Sequence, residues 1–176
     1  MKLITPRLSL RPIQKADTSL VYAMASSPGV ALPAGYPTPK SIRDSRARVE
    51  RFSAEWRKRK PLLLTFSILR REDTAWIGLI SLRWPHAGVG ELGYSIHPHF
   101  WGNGYASEAA RCIVDLAFAK FGAHRVQATC WVKNIRSVGV LKNAGLHKEG
   151  ILRGYLKRGR TIRDEFMFGL VRPKNY

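Results

Sequence analysis

One short run holds the residue types and spacing for chemistry. His99-Phe100-Trp101-Gly102-Asn103-Gly104 stands directly before the alanine-rich run that begins at Tyr105 and Ala106. Glycine opens backbone conformations closed to other residues and lets a second group come close. A helix start offers unpaired N–H groups and the positive end of its dipole. Glycines placed just ahead of a helix therefore make a seat for a phosphate. The chemistry expected here is the binding of an anionic ligand by backbone.

Other chemistries find less support. Cys112 and Cys130 form no C-x-x-C pair, and the five histidines are scattered without zinc spacing, so no metal site is expected. Both cysteines read as small buried hydrophobes. The opening residues carry Arg7 and Arg11 and no long apolar run, and no stretch nears the roughly 18 apolar residues of a membrane span. A cytoplasmic protein with no membrane partner is expected. The chain has 176 residues, 45% hydrophobic and 24% charged, which suits a single domain over 1–176 with a real core. Thirty Lys and Arg against twelve Asp and Glu give a net charge of +18. That excess favours anionic partners, nucleic acid included, or else is a plain solvated surface.

The elements that must position the glycine run follow from periodicity. "RLSLRPI" alternates as a first strand, and Asp17 is placed to cap a short helix, "TSLVYAMA". "SSPGVALPAGYPTPK" reads as a loop whose Tyr36 stands at a cleft or in a plain connector. "SIRDSRARVERFSAEWRKRK" sets Ile42, Val49, Phe52 and Trp56 on one helical face and arginines on the other. Three strands follow: "PLLLTFSILR", "AWIGLISLRW" and "ELGYSIHP". After the glycines, Ala106, Ala109, Ala110, Ile113, Leu116, Ala117 and Phe121 form an apolar stripe that Gly122 ends. A strand "RVQATCWV", a short helix capped by Asn134, and two closing strands around a turn at Gly159 complete the chain. The order β, α, α, β, β, β, α, β, α, β, β gives seven strands and four helices in a mixed α+β arrangement.

Four of these stretches in register resemble one family. "TPRLSLRP", "ELGYSIHPHFWGNGYASEAA", "NIRSVGVLKNAGLHKEGILRG" and "GRTIRDEFMFGLV" are similar, in order, to segments of the GNAT acyltransferase superfamily. Within it they look like the ribosomal-protein serine/alanine N-terminal acetyltransferase branch. The resemblance implies a mostly antiparallel sheet splayed at the cofactor site. It implies acetyl-CoA as co-substrate and transfer of acetyl to a primary amine by direct attack in a ternary complex. His99 to Gly104 match the diphosphate loop Q/R-x-x-G-x-G/A, with His99 in place of Gln or Arg. His99, Trp101, Gly102, Asn103, Gly104, Tyr105 and Ala106 then belong to the cofactor site. Ser95, Ile96 and His97 would pair with the pantetheine arm along an open strand edge. Asn134 and Ser137 match N-x-x-S, so Asn134 contacts the cofactor or only caps its helix.

The same resemblance suggests the proton-transfer groups. Glu91 opens the central strand and is the expected base toward the amine; its alternative is a solvated glutamate at a hairpin end. Ser137 matches the serine proposed to assist the leaving thiolate, or else packs its helix against the cofactor. Leu141 stands where many relatives have a tyrosine. Asp164 reads as structural, through an arginine such as Arg153, and Glu165 is a further carboxylate near the end. Trp84, Trp101, Trp131 and Tyr155 line the cleft or fill the core. The acceptor is a protein N-terminus, a small amine such as a polyamine, antibiotic or amino acid, or the chain is a non-catalytic RNA- or ribosome-binding member of the fold. The arginine-rich helix of residues 41–60 suits ribosome docking. A monomer or a homodimer is equally compatible.

Overall fold

The computed structural model describes residues 1–158 and 161–174. Its strands are β1 (Leu3–Ile4), β2 (Leu8–Pro12), β3 (Leu63–Arg70), β4 (Trp76–His86), β5 (Val89–Ile96), β6 (Arg125–Trp131), β7 (His147–Arg158) and β8 (Thr161–Val171). Its helices are α1 (Thr18–Ser26), α2 (Ile42–Glu55), α3 (Tyr105–Ala119) and α4 (Ile135–Asn143). The strands form one open sheet in the order β1-β2-β3-β4-β5-β6-β8-β7. All neighbours are antiparallel except β5 and β6, which are parallel. The expected seven strands become eight through the two-residue β1, too short to leave a pattern in the sequence. The turn expected at Gly159 lies outside the described residues.

Helices cover both faces of the sheet. Ile80, Leu82, Leu92 and Val126 pack with Ala109, Ile113 and Phe118 of α3 in the larger core. Trp76 and Leu79 pack with Val21, Met24, Val49 and Phe52 of α1 and α2 on the other face. Alanines at Ala109, Ala110 and Ala117 are fully buried, which lets α3 lie close on the sheet.

Three local expectations are corrected. The helix read to Lys60 stops at Glu55. There Trp56 turns inward, donates its indole N–H to the Thr65 carbonyl at 2.9 Å and meets Phe66 edge-on, while Glu55 accepts the Leu62 N–H at 3.0 Å. Asp17 precedes α1 but makes no side-chain cap. It is buried instead, accepting from Arg11 at 2.6 and 2.8 Å, from the Ser67 hydroxyl at 2.7 Å and from the Gln14 N–H at 2.9 Å. Asp164 accepts the backbone N–H of Gly154 at 2.8 Å, so among the described residues it bonds to the backbone of β7 and not to Arg153.

Candidate active site

The pairing of β5 and β6 covers only Val89, Gly90 and Glu91 opposite Arg125, Val126 and Gln127. Beyond Glu91 the two strands part, and the β6-side edge of β5 is left without a strand partner. A cavity of about 350 Å³ opens there. Its floor is Tyr94, Ser95 and Ile96 of β5. One side is Trp101, Gly102 and Gly104 with Tyr105, Ala106 and Ser107 at the start of α3. A second side is Asn134, Arg136, Ser137 and Val140 of α4, and a third is Val30, Pro33 and Ala34 from the segment between α1 and α2.

The glycine run behaves as its sequence requires. Gly102 and Gly104 have φ of +81° and +76°, the left-handed region that a side chain disfavours. Gly104 stands at the N-cap of α3, where the first N–H groups have no partner within the helix. Asn103 braces the loop: its amide donates to the Trp101 carbonyl at 3.0 Å, and its own carbonyl accepts from Arg7 at 3.0 Å. The Trp101 indole donates to the Ile96 carbonyl at 2.8 Å, and Arg136 lies 4.5 Å over the same ring. These groups give what a diphosphate needs: bare backbone donors, no Cβ in the approach, and a nearby cation.

Ser95, Ile96, Trp101, Gly102, Gly104, Tyr105, Ala106, Asn134 and Ser137 thus meet at one cavity. His97, His99 and Asn103 are not among its lining residues. The His97 N–H is taken by the Ile77 carbonyl at 2.9 Å, and its ring accepts from the His99 N–H at 3.3 Å. The Asn134 side chain accepts the Ser137 N–H at 3.2 Å, so the cap is present and Ser137 is held one turn into α4.

Glu91 is not brought to this cavity. It lies at the closed end of the β5–β6 pair, opposite Arg83 across the β4–β5 ladder, and their side chains meet at 2.5 Å. Opposite charges facing each other across two strands attract. At about 3.3 Å per residue, Glu91 is about 13 Å along the strand from Ser95.

The sequence reading missed Tyr94. Its phenol donates to the Ser137 carbonyl at 3.3 Å, and burial, with Cys130 nearby, pushes its pKa well above the ordinary tyrosine value. Alternation along β5 with Leu92 and Ile96 is the signal that places Tyr94 on the α4 side. Leu141 is buried in the core. Of the other aromatics, Trp84 packs on Phe121 with ring centroids 5.5 Å apart, and Tyr155 is exposed. Cys130 is buried and its thiol is pushed up to about 11 by that burial and by Glu165.

A splayed sheet with a backbone-built anion seat at the opening defines an acyl-CoA-dependent acetyltransferase. The chain belongs to the GNAT acetyltransferase family, whose domain model matches residues 7–147. It is 31% identical to the uncharacterized N-acetyltransferase YoaA of Bacillus subtilis over 173 residues, 97% of this chain and 96% of that one. Its fold is similar to a ribosomal-protein alanine acetyltransferase from Vibrio fischeri, with a TM-score of 0.80 at 20% identity over 97% of this chain and 96% of that one. It is equally similar to a spermidine N-acetyltransferase from Vibrio cholerae in complex with CoA and spermine, with a TM-score of 0.80 at 16% identity over 95% and 96%. Enzymes of this fold use acetyl-CoA as co-substrate. Among the described residues no helix is long and apolar enough to cross a membrane.

Proposed function

We propose that the acceptor is the α-amine of a protein or peptide N-terminus, acetylated by direct attack while acetyl-CoA is bound. One observation carries the choice. Among the described residues, those that line the cavity include no carboxylate, and their single charged side chain is the cation Arg136. A polyamine such as spermidine holds several charges that would enter without counter-charge, at a desolvation cost. An α-amine has a pKa near 8 and loses its proton readily at neutral pH, whereas a lysine amine near 10.4 does not.

In this reading Gly102, Gly104 and the N–H groups of Tyr105 and Ala106 hold the diphosphate. The β5 edge at Ser95 and Ile96 aligns the pantetheine arm, with Asn134 beside it. Ser137 donates a hydrogen bond to the departing thiolate and relays to it a proton that the attacking amine releases to water, so the thiol, with a pKa near 8.5, leaves protonated and the hydroxyl is restored. Glu91 receives the amine's proton only through water. His97, His99, Trp101 and Asn103 shape the loop. The exposed arginines Arg43, Arg46 and Arg57 of α2 and its end form no ion pair among the described residues and suit docking on ribosomal RNA.

The test is acetyl-CoA turnover against peptides with free N-termini, the same peptides blocked, and spermidine, at 50 and 200 mM salt. Turnover confined to free α-amines is expected. Preference for spermidine removes the acceptor assignment. Association with ribosomal particles through several phosphate contacts should fall by orders of magnitude over that salt range.

A further inference from the structure

The third wall of the cleft, Val30, Pro33 and Ala34, belongs to the segment between α1 and α2, and those residues lie in no helix or strand. It is held from beneath by Arg163 of β8. Arg163 is buried; its Nη1 donates to the Leu32 carbonyl at 2.5 Å and its Nη2 to the Pro33 carbonyl at 3.5 Å. The guanidinium also lies 5.3 Å from the centroid of the Trp131 ring of β6, on the splayed end of that strand. Its charge is met by Glu165, two residues on and so on the same face of β8. Arg163 Nε and Glu165 Oε1 are 2.7 Å apart, with only 5% and 4% of the side chains exposed. The two atoms are not aligned as a directed hydrogen bond, so the contact is one of charge with charge. The segment crosses the guanidinium at Gly35, whose φ is +75° and where a Cβ would stand 3.0 Å from Nη2 and 3.2 Å from the Leu156 side chain. The next residue, Tyr36, reaches the Ser95 hydroxyl at 3.3 Å, and Arg48 of α2 stacks on its ring at 3.9 Å.

Stability alone does not account for this pair. Well-packed apolar residues in place of a buried ion pair are often as stable or more so. What an arginine adds is a planar fork that fixes two acceptors at once, which a lysine cannot do. Here the fork grips the Leu32 carbonyl at 2.5 Å and reaches the next carbonyl, of Pro33, at 3.5 Å, and Glu165 holds the fork.

We propose that Arg163, with Glu165 as its counter-charge, is a positioning residue. It seats residues 28–37 as the acceptor-side wall of the cleft and so sets how tightly the acceptor amine is held, without touching acetyl-CoA. This rests on the acetyltransferase reading of the cavity, and its first readout needs no acceptor.

The experiment compares wild type with Arg163→Met, Arg163→Lys and Glu165→Gln. Hydrogen exchange is followed in residues 28–37 and in β3 and β4, acetyl-CoA affinity by calorimetry, and kcat and KM with a hexapeptide bearing a free N-terminal alanine. Arg163→Met should speed exchange in 28–37 by about ten- to hundredfold, the range spanned by one hydrogen bond to a charged group, and leave β3 and β4 unchanged. Peptide KM should rise by a similar factor while acetyl-CoA affinity stays within about twofold. Arg163→Lys should recover only part of the exchange protection, and Glu165→Gln should lie between. Should Arg163→Met prove unfolded, those two softer variants carry the same comparison. Unchanged exchange in 28–37 overturns the proposal, as does a loss of acetyl-CoA affinity equal to the rise in peptide KM. Faster exchange in 28–37 with unchanged acetyl-CoA affinity supports it even where the peptide is not acetylated, in which case only the acceptor assignment falls.

Discussion

On its α3 side the cleft is made of backbone, and on the side between α1 and α2 it is held by side chains. Gly102, Gly104 and the first turn of α3 lie within a few residues of one another, and their positive φ angles and free N–H groups follow from local sequence. The wall between α1 and α2 hangs on Arg163, 131 residues from the Leu32 carbonyl it binds. A backbone seat tolerates most substitutions around it and fails when a Cβ enters the wrong conformation. A side-chain seat fails whenever one charged partner changes. The two walls of the cleft therefore respond to different changes: the backbone wall to an added Cβ, and the side-chain wall to any substitution of Arg163 or Glu165.

The largest effect should come from breaking the backbone side. Gly104→Val places a β-branched residue at φ +76°, a strain of about 1–2 kcal/mol in the left-handed region. Gly104 is exposed, and the nearest atom to an added Cβ is the tip of Arg7 at 3.5 Å, so the apo fold should survive. Wild type with acetyl-CoA at 100 times its Kd should gain about 2.7 kcal/mol, or about 5–10 °C in Tm. The variant should show no such rise by differential scanning fluorimetry. An undiminished rise would mean that the diphosphate sits elsewhere.

Next in size is a loss at the α4 side, where the two kinds of construction meet. Ser137→Ala should lower kcat by about tenfold to a hundredfold, at or below the usual range for positioned proton transfer, and change acetyl-CoA affinity little. Tyr94→Phe should cost less, because the phenol reaches Ser137 only through its carbonyl. Steady-state kinetics on both variants decide between the hydroxyls. A larger loss in Tyr94→Phe would move the proton-donor role to Tyr94, whose buried phenol stays protonated at neutral pH.

What could be read from the sequence divides along the same line. The glycine loop, the alanine-rich face of α3 and the Asn134 cap are local, and each lies where its pattern puts it. The open edge of β5 was reached through family resemblance, since no local pattern marks where two strands part. Glu91 shows the consequence. Its place at the start of β5 is legible, but which end of the strand opens depends on β6, more than thirty residues away. Arg83 held a cue, because a hairpin of this register sets it directly across from Glu91. Arg163 and Glu165 gave no cue toward the wall they hold, since Leu32 and Pro33 meet them only in the folded chain.

The pH dependence of stability should separate the acceptor side from the rest. Burial raises the Glu165 carboxyl above its ordinary value, and Arg163 only partly opposes this. A raised folded pKa contributes stability that is fully present below the unfolded value of about 4.3 and lost as pH rises through the folded one. Asp17 and Glu108 have the opposite sign. Burial would raise both, but Arg11, the Gln14 N–H and Ser67 around Asp17, and Thr5 and Arg7 around Glu108, outweigh it and lower them. Their contribution is lost as pH falls through their lowered folded values. Urea unfolding from pH 3 to 8 should show Glu165→Gln without the decline above about pH 4.3 and with its acid limb intact. An identical profile in the variant would place Glu165 in a solvated, unperturbed setting and weaken the distinction between the two walls.

The smallest effect is expected at Glu91, which tests whether any carboxylate acts on the acceptor side by proximity. Glu91 shares a face of β5 with Ser95 but stands about 13 Å from it at the strand's rise per residue. Arg83 holds it at 2.5 Å, and about a fifth of its side chain meets solvent. From there it can take a proton only through intervening water. An α-amine with a pKa near 8 needs little help, since about a tenth of it is already neutral at pH 7. Glu91→Gln should therefore lower kcat/KM by about twofold to fivefold, well under the hundredfold or more of a base in direct contact. Arg83→Ala, which frees the carboxylate without removing it, should change kcat/KM less than Glu91→Gln does. The measurement is kcat/KM for the free-alanine peptide from pH 6 to 9. A loss of a hundredfold would put Glu91 in contact with the reacting amine, and the acceptor would then have to enter from the closed end of β5. No loss at all would send the proton straight to bulk solvent, with no part for a carboxylate of β5.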